Sequence, residues 1–419
     1  MKSTTTAFCS ETPETVADIV PVDIEDTCPA IQEFFRKDAE ANDRFMDGRL
    51  RRFDWYENHR FAMSADLCID GRVQDFPQVL GLPVGILDVF RSKGSMAKLT
   101  NPLYRQRFSK RMADIVSHGS VRDDMAGMHL ATAHHSASMP DTDSCAAWKH
   151  QTEAALADVQ QHCHELNFAW RGQVVAFPVL IDTDLDAMTI FGPGGNYPVE
   201  RLVRRLRPHE PADPGGIVDA LHQIFPSNWE PIAALPSACK DVFHTELAER
   251  IVANVDFIRE VIALERPVEL LKHNEQFIFV GRDADWTEEH NTLFLIDDTE
   301  GDEVLTSFVI ALPYVAKNVI LDAVAQEDYE WRIPCVVNIP YAERQQQEAY
   351  YHARTLGQRL RKTTKNLAST MSDFLRGPHG IPNGDIPDWM FRQMADLPER
   401  TEIVTSTSLD STRLFVPFV

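Results

Sequence analysis

The sequence predicts an α/β fold. Short apolar runs with strand character recur along the chain, and between them lie segments whose apolar residues repeat three and four apart. No short-period repeat replaces that alternation with a solenoid or propeller pattern.

Residues 1–26 are Thr-rich and acidic with few large apolar groups, so little order is expected before Pro29. Pro29 opens an amphipathic helix through Ile31, Phe34, Phe35, Ala41 and Phe45, and Leu50, Phe53 and Trp55 mark a further helical turn or two. From Phe61 the period changes. Phe61–Cys68 is a compact strand, ended by the turn signal Asp70-Gly71. A loop and strand run through Val84–Phe90 and stop at Gly94. Met128–His134 is the next strand, followed after a polar loop by a helix from about Asp143 to Leu166. Val174–Ile181 is another strand. Gly192-Pro193-Gly194-Gly195 and Asp213-Pro214-Gly215-Gly216 then break the chain, and helical patterns fill much of 217–275. Later strands are expected at Phe277–Gly281, Leu293–Ile296, Thr306–Leu312 and Pro334–Ile339, with a polar helix over Tyr341–Ser369 and an extended tail at Thr405–Val419.

Composition limits the function. At 419 residues, two or three domains are expected, since a domain runs roughly 100–200 residues. The formal charge of −22 repels phosphate backbones and anionic lipid, so nucleic acid and membrane are poor partners. Val174–Ile181, eight apolar residues with one proline, is too short to cross a bilayer. The polar opening stretch Met1–Glu14 does not read as a signal peptide, and a soluble cytoplasmic protein is expected. Seven cysteines, an odd number scattered through a long chain, argue against a disulfide framework.

Two constellations carry chemistry. The first is Cys68-Ile69-Asp70-Gly71-Arg72 at the C-terminal end of a strand, where α/β sheets bind ligands. Read alone, such a pattern is more often a buried cysteine followed by a surface ion pair of little worth. The second is His134-His135 at another strand end, with Cys145 eleven residues after His134 at a helix start, a favourable place for a thiolate. Cys68, His134 and Cys145 together supply two sulfurs and one imidazole, a zinc set with its fourth position open. His162-Cys163-His164 reads instead as solvated helix, because neighbouring helix positions do not face one another. Asp182-Thr183-Asp184-Leu185-Asp186 lacks the Gly and Glu of a calcium loop, and Gly192–Gly195 lacks the Lys-Ser/Thr of a phosphate cradle. The basic run Arg201, Arg204, Arg205 and Arg207 reads as a solvated helix end or as an anion or partner site.

Taken together, Cys-x-Asp-x-Arg at one strand end and His and Cys at the next resemble the layout of β-class carbonic anhydrases. The wide His134 to Cys145 spacing resembles the divergent carboxysome shell carbonic anhydrase family. Cys145-Ala146-Ala147, the strand end Leu180–Ala187, Phe277–Gly281 followed by Glu289-His290-Asn291, and Pro334-Cys335-Val336-Val337 before a polar helix resemble further segments of it. The likeness runs from about residue 60 to 370 and is most specific at 68–72 and 134–147. Trp148-Lys149 stands where the family pattern has His-Gly, and the opening segment is acidic rather than a long basic Rubisco-binding extension. Rubisco and shell binding are therefore not carried over.

The resemblance implies a zinc enzyme that interconverts CO₂ and bicarbonate, with one Zn²⁺ per chain on Cys68, His134 and Cys145. Asp70 would accept a hydrogen bond from the nucleophile, Arg72 would hold Asp70 off the metal, and His290 would sit near the zinc-bound solvent as a proton acceptor. It further implies a short helical N-terminal region (1–60), a β-carbonic-anhydrase-like catalytic half (61–292) and a degenerate related half (293–419), with a homodimer or higher homo-oligomer. A carboxysome is the more specific location it suggests. The alternative is a non-catalytic zinc scaffold or sensor on the same fold, against which Asp70 and Arg72 speak. A zinc deaminase is excluded, since His-x-Glu and Pro-Cys-x-x-Cys are absent.

Overall fold

The computed structural model describes residues 27–33, 36, most of 52–113, 124–141, 144–207, 210–264, 275–281, 292–296, 303–325, 331–341, 346–368 and 396–409. Helix α1 (Arg52–Asn58) leads into β1 (Phe61–Cys68), β2 (Asp88–Ser92) and β3 (Ala126–His135). Helix α2 (Thr152–Ala169) crosses to β4 (Val174–Asp182), and the hairpin strands β5 (Ala187–Gly192) and β6 (Gly195–Pro198) follow. These strands form a six-stranded sheet in the order β2-β1-β3-β4-β5-β6. Its first four strands are parallel, and β5 and β6 pair antiparallel at one edge.

Helices α3 (Val199–Arg205), α4 (Pro214–Ile224) and the long α5 (Ser237–Ala263) come next. Asp213 caps α4 by accepting hydrogen bonds from the Gly215 and Gly216 N–H groups at 3.0 and 3.1 Å. A second sheet is then built from β7 (Phe277–Gly281), β8 (Thr292–Ile296), α6 (Glu303–Ala325), β9 (Ile333–Tyr341), α7 (Gln346–Ala368) and β10 (Thr401–Leu409). All its strand pairs are parallel, in the order β10-β9-β7-β8. Read from the other edge, β8-β7-β9-β10 repeats the chain order of β2-β1-β3-β4. Helix α2 packs on β3 and β4, and α7 packs in the same way on β9 and β10. The second sheet therefore starts at Phe277, ahead of residue 293.

The first sheet is covered on both faces, as parallel strands require. Phe61, Met63, Ala65 and Leu67 of β1 face Phe243, Leu247 and Ile251 of α5. Ala62 faces the other way, toward Val159, Cys163 and Leu166 of α2. Strand β8 lies against β2 and the turn at Gly71–Val73, which brings the edge of the second sheet beside the Cys68 turn.

Three expectations are corrected. Thr306–Leu312 is not a strand but the first half of α6. Its Val, Ile and Thr residues and the following Pro313 imitate a short strand, yet Val304, Phe308, Leu312, Val315, Val319 and Ala323 are buried at helical spacing. The helix expected from Asp143 begins only at Thr152, because Lys149 and His150 take positive φ values of 51° and 62° after a 3₁₀ turn at Ala146–Trp148. His162 and Cys163 are not solvated. They continue the buried α2 face of Ala155 and Val159, while His164 is exposed. Of the helix expected from Pro29, only its start lies among the described residues, and there Glu402 of β10 accepts from the Cys28 N–H.

Candidate metal centre

Cys68 ends β1, His134 stands one residue before the end of β3, and Cys145 opens the 3₁₀ turn at Ala146–Trp148. All three are buried, and their ligand atoms lie within 4.8 Å of one another. Parallel pairing of β1 with β3 places the first two at one end of the sheet, with Asp66 opposite Ala131 just before them. Cys145 is brought in by a clamped loop. Asp184 accepts from Ser138 N at 2.6 Å and Ser136 Oγ at 2.7 Å, Asp182 accepts from Ala137 N at 3.2 Å, and Thr183 N donates to His135 O at 2.8 Å. The Asp-Thr-Asp segment is thus a loop anchor. Ser144 Oγ accepts from Ser136 N at 3.3 Å and closes the loop one residue before Cys145.

The electrostatics favour one thiolate. The neighbouring Cys68 thiol lowers the Cys145 thiol, and the Ala147 and Trp148 N–H groups add to that effect against the cost of burial. Proximity to Cys145, together with burial, raises Cys68 well above the ordinary thiol range. Neither ring nitrogen of His134 has a hydrogen-bond partner, although the side chain is only 2 % exposed. A buried imidazole with both nitrogens unsatisfied, beside two sulfurs, fits a metal ligand. Two sulfurs and an imidazole are a donor set that a borderline-soft divalent ion such as zinc accepts.

Asp70 and Arg72 stand beside this set and not at the surface. Arg72 grips the Asp70 carboxylate with Nε at 3.1 Å from Oδ1 and Nη2 at 2.7 Å from Oδ2, and its own N–H reaches Oδ1 at 2.9 Å. The two side chains are 4 % and 3 % exposed. Asp70 Oδ2 lies 3.7 Å from His134 Nδ1. Sequence reasoning missed Arg91 of β2, which donates to Cys68 O at 2.7 Å and Val73 O at 3.3 Å and so staples both ends of the Cys68–Val73 turn. An arginine in a strand whose other positions are mostly buried was the available signal. His290 lies outside the described residues, two positions before β8. His135 is turned away from full burial, and its carbonyl serves the loop anchor. Arg201, Arg204 and Arg205 are exposed on α3, where Arg204 pairs with Glu200 one turn earlier.

A second group of ligand-type side chains, Asp66, His129 and His162, is buried between β1, β3 and α2. The sequence pattern did not single it out. Its signal was an aspartate and a histidine inside otherwise apolar central strands. Among the described residues, no helix is long and apolar enough to cross a membrane. No family model matches the chain, and no curated protein does.

Proposed function

We propose that the protein is a zinc-dependent carbonic anhydrase interconverting CO₂ and bicarbonate. The observation that carries this reading is the convergence of Cys68, His134 and Cys145 next to a buried carboxylate that Arg72 holds in a two-pronged grip. A structural zinc site would use a fourth protein ligand and would have no need of an oriented carboxylate. A zinc ion bound there supplies the positive charge that ionises a water near neutral pH.

The chain's own residues do the positioning. Arg72 directs the Asp70 carboxylate by two charge-assisted hydrogen bonds. Asp70 accepts the O–H of the attacking oxygen and so aims a lone pair at the carbon of CO₂. Arg91 holds the turn that presents Asp70. His290 would receive the proton by the resemblance described above.

The repeated strand order supports reading the second sheet as a related half without its own zinc set. Cys335, its cysteine, is fully buried in β9, and burial pushes its thiol up to about 12, which makes it inert. Among the described residues, both groups able to hold a metal belong to the first sheet and the helix packed on it. The second half then acts as a partner that covers the catalytic turn through β8. Assembly of whole chains into a homodimer belongs to the same reading.

The test is stopped-flow CO₂ hydration by the purified, zinc-loaded chain. Two sulfur ligands neutralise most of the zinc charge, so the rate is expected to climb on the alkaline side of neutrality. No hydration above background, or a rate flat from pH 6 to 9, would overturn the proposal.

A further inference from the structure

The buried group behind the Cys68 strand has the form of a second metal site. Asp66 of β1, His129 of β3, His162 of α2 and Tyr104, in the helical turn at 104–106, meet inside a cluster otherwise made of apolar side chains such as Phe90, Phe108, Val159 and Leu166. Asp66 Oδ2 lies 3.0 Å from His129 Nε2, 3.1 Å from His162 Nε2 and 3.1 Å from Tyr104 Oη. Tyr104 Oη is also 3.1 Å from His162 Nε2. The Asp66, His129 and His162 side chains are 1 %, 1 % and 4 % exposed.

The distribution of these contacts favours a cation over a plain hydrogen-bond network. Each carboxylate oxygen offers about two lone pairs. Here three donors converge on Oδ2, while Oδ1 of the same carboxylate and Nδ1 of His162 have no partner. A network arranged for its own sake would share the donors between the two oxygens, because an unsatisfied buried polar atom costs about 1–3 kcal/mol. One overloaded oxygen beside two unsatisfied atoms is what a cation shared among these side chains would relieve. The other nitrogen of His129 is held by Ser64 Oγ at 2.9 Å, the outer contact that fixes a ligating imidazole with its free nitrogen inward. The Asp66, His129 and His162 ligand atoms all lie within 4.8 Å of one another, close enough for one ion to take them together with Tyr104 Oη after a small side-chain adjustment.

We propose that Asp66, His129, His162 and Tyr104 form a second, structural site for a divalent first-row transition ion, zinc being the one their chemistry suits. Two imidazoles, a carboxylate and a phenol oxygen make a nitrogen and oxygen set without sulfur. Four protein donors in an apolar surround leave no open position, which marks a structural and not a catalytic site. The ion ties α2 and the 104–106 turn to the strand that presents Cys68 two residues further on. The inference does not depend on the reaction proposed above.

Cobalt(II) distinguishes the two sites, because only the Cys68 set gives a thiolate-to-metal charge-transfer band. The full-length chain loaded with cobalt is expected to hold two ions, where the sequence suggested one. Cys68→Ser should keep one ion and lose the band, and His162→Gln should keep the band and lose one ion. Removing metal from the Cys68→Ser chain with a chelator should lower its Tm, a readout that does not require the His162 variant to fold. A single cobalt per chain in a wild type that shows the charge-transfer band, or an unchanged Tm in chelated Cys68→Ser, would overturn the proposal. A missing charge-transfer band in the wild type would instead count against the Cys68 site.

Discussion

Arg72→Ala tests the site where structure and chemistry meet. The substitution leaves Asp70 as a buried carboxylate, 3 % exposed, that has lost its contacts at 3.1 and 2.7 Å. Removing one partner of a buried ion pair costs about 3–5 kcal/mol, because the remaining charge loses its counter-ion. The residue 72 backbone N–H, 2.9 Å from Oδ1, survives the change, so a loss near the lower end, about 3 kcal/mol, is expected. Urea unfolding followed by circular dichroism reads it. Asp70→Asn in the same chain removes that charge and should restore at least half of that loss without restoring activity. In the zinc-loaded single variant, the freed carboxylate should turn toward the metal, so that CO₂ hydration falls most at low pH. A single variant within about 0.5 kcal/mol of wild type, the range of an ordinary surface substitution, would refute the reasoning, as would a double variant no more stable than the single one.

Three further outcomes are expected. Cys68→Ala, His134→Ala and Cys145→Ala should each lose the Cys-set zinc by metal analysis and with it CO₂ hydration, whereas Cys163→Ala and His135→Ala should keep both; retention of zinc at that site and full activity in Cys145→Ala would show the ligand set to be wrong. Burial pushes the Glu246 carboxyl from 4.5 up to about 7, so its contribution to stability is complete below pH 4.5 and is lost as pH rises through 7. Glu246→Gln keeps an acceptor for Arg60 N and should therefore gain about 1–2 kcal/mol over wild type between pH 5 and 8, after discounting for partial exposure; a constant difference across that range would contradict the assignment. Gly194→Ala drives a Cβ into the Gln223 carbonyl oxygen, a backbone clash that no rotamer relieves, and should cost at least about 3 kcal/mol in thermal unfolding; a neutral effect would mean that the β5–β6 turn is not seated on α4.

The strands around the candidate metal centre were legible because parallel strands buried on both faces read as near-continuous apolar runs with sharp ends. Cys68 and His134 could be assigned to strand ends for that reason, and the Asp-x-Arg spacing announced a carboxylate with a guanidinium close by. Thr306–Leu312 was misread because a short apolar run carries no period of its own, and only burial over all of α6 separates helix from strand.

By itself, the sequence determined the α/β class, the three candidate ligands and the Asp70–Arg72 pair, all of which rest on local composition and spacing. Only the tertiary structure decided three other matters. It buried Asp70 and Arg72 to a few per cent exposure, which turns a cheap surface pair into a directed carboxylate. It recruited Arg91 and Asp184 as braces for the two loops of the site. It also gathered Asp66, Tyr104, His129 and His162, which lie as much as 96 residues apart in the chain, counting 162 − 66, around one point. Such convergence is set by the pairing of β1 with β3 and the seating of α2 upon them. Strand register and helix packing are long-range quantities, and no local pattern of residues encodes them.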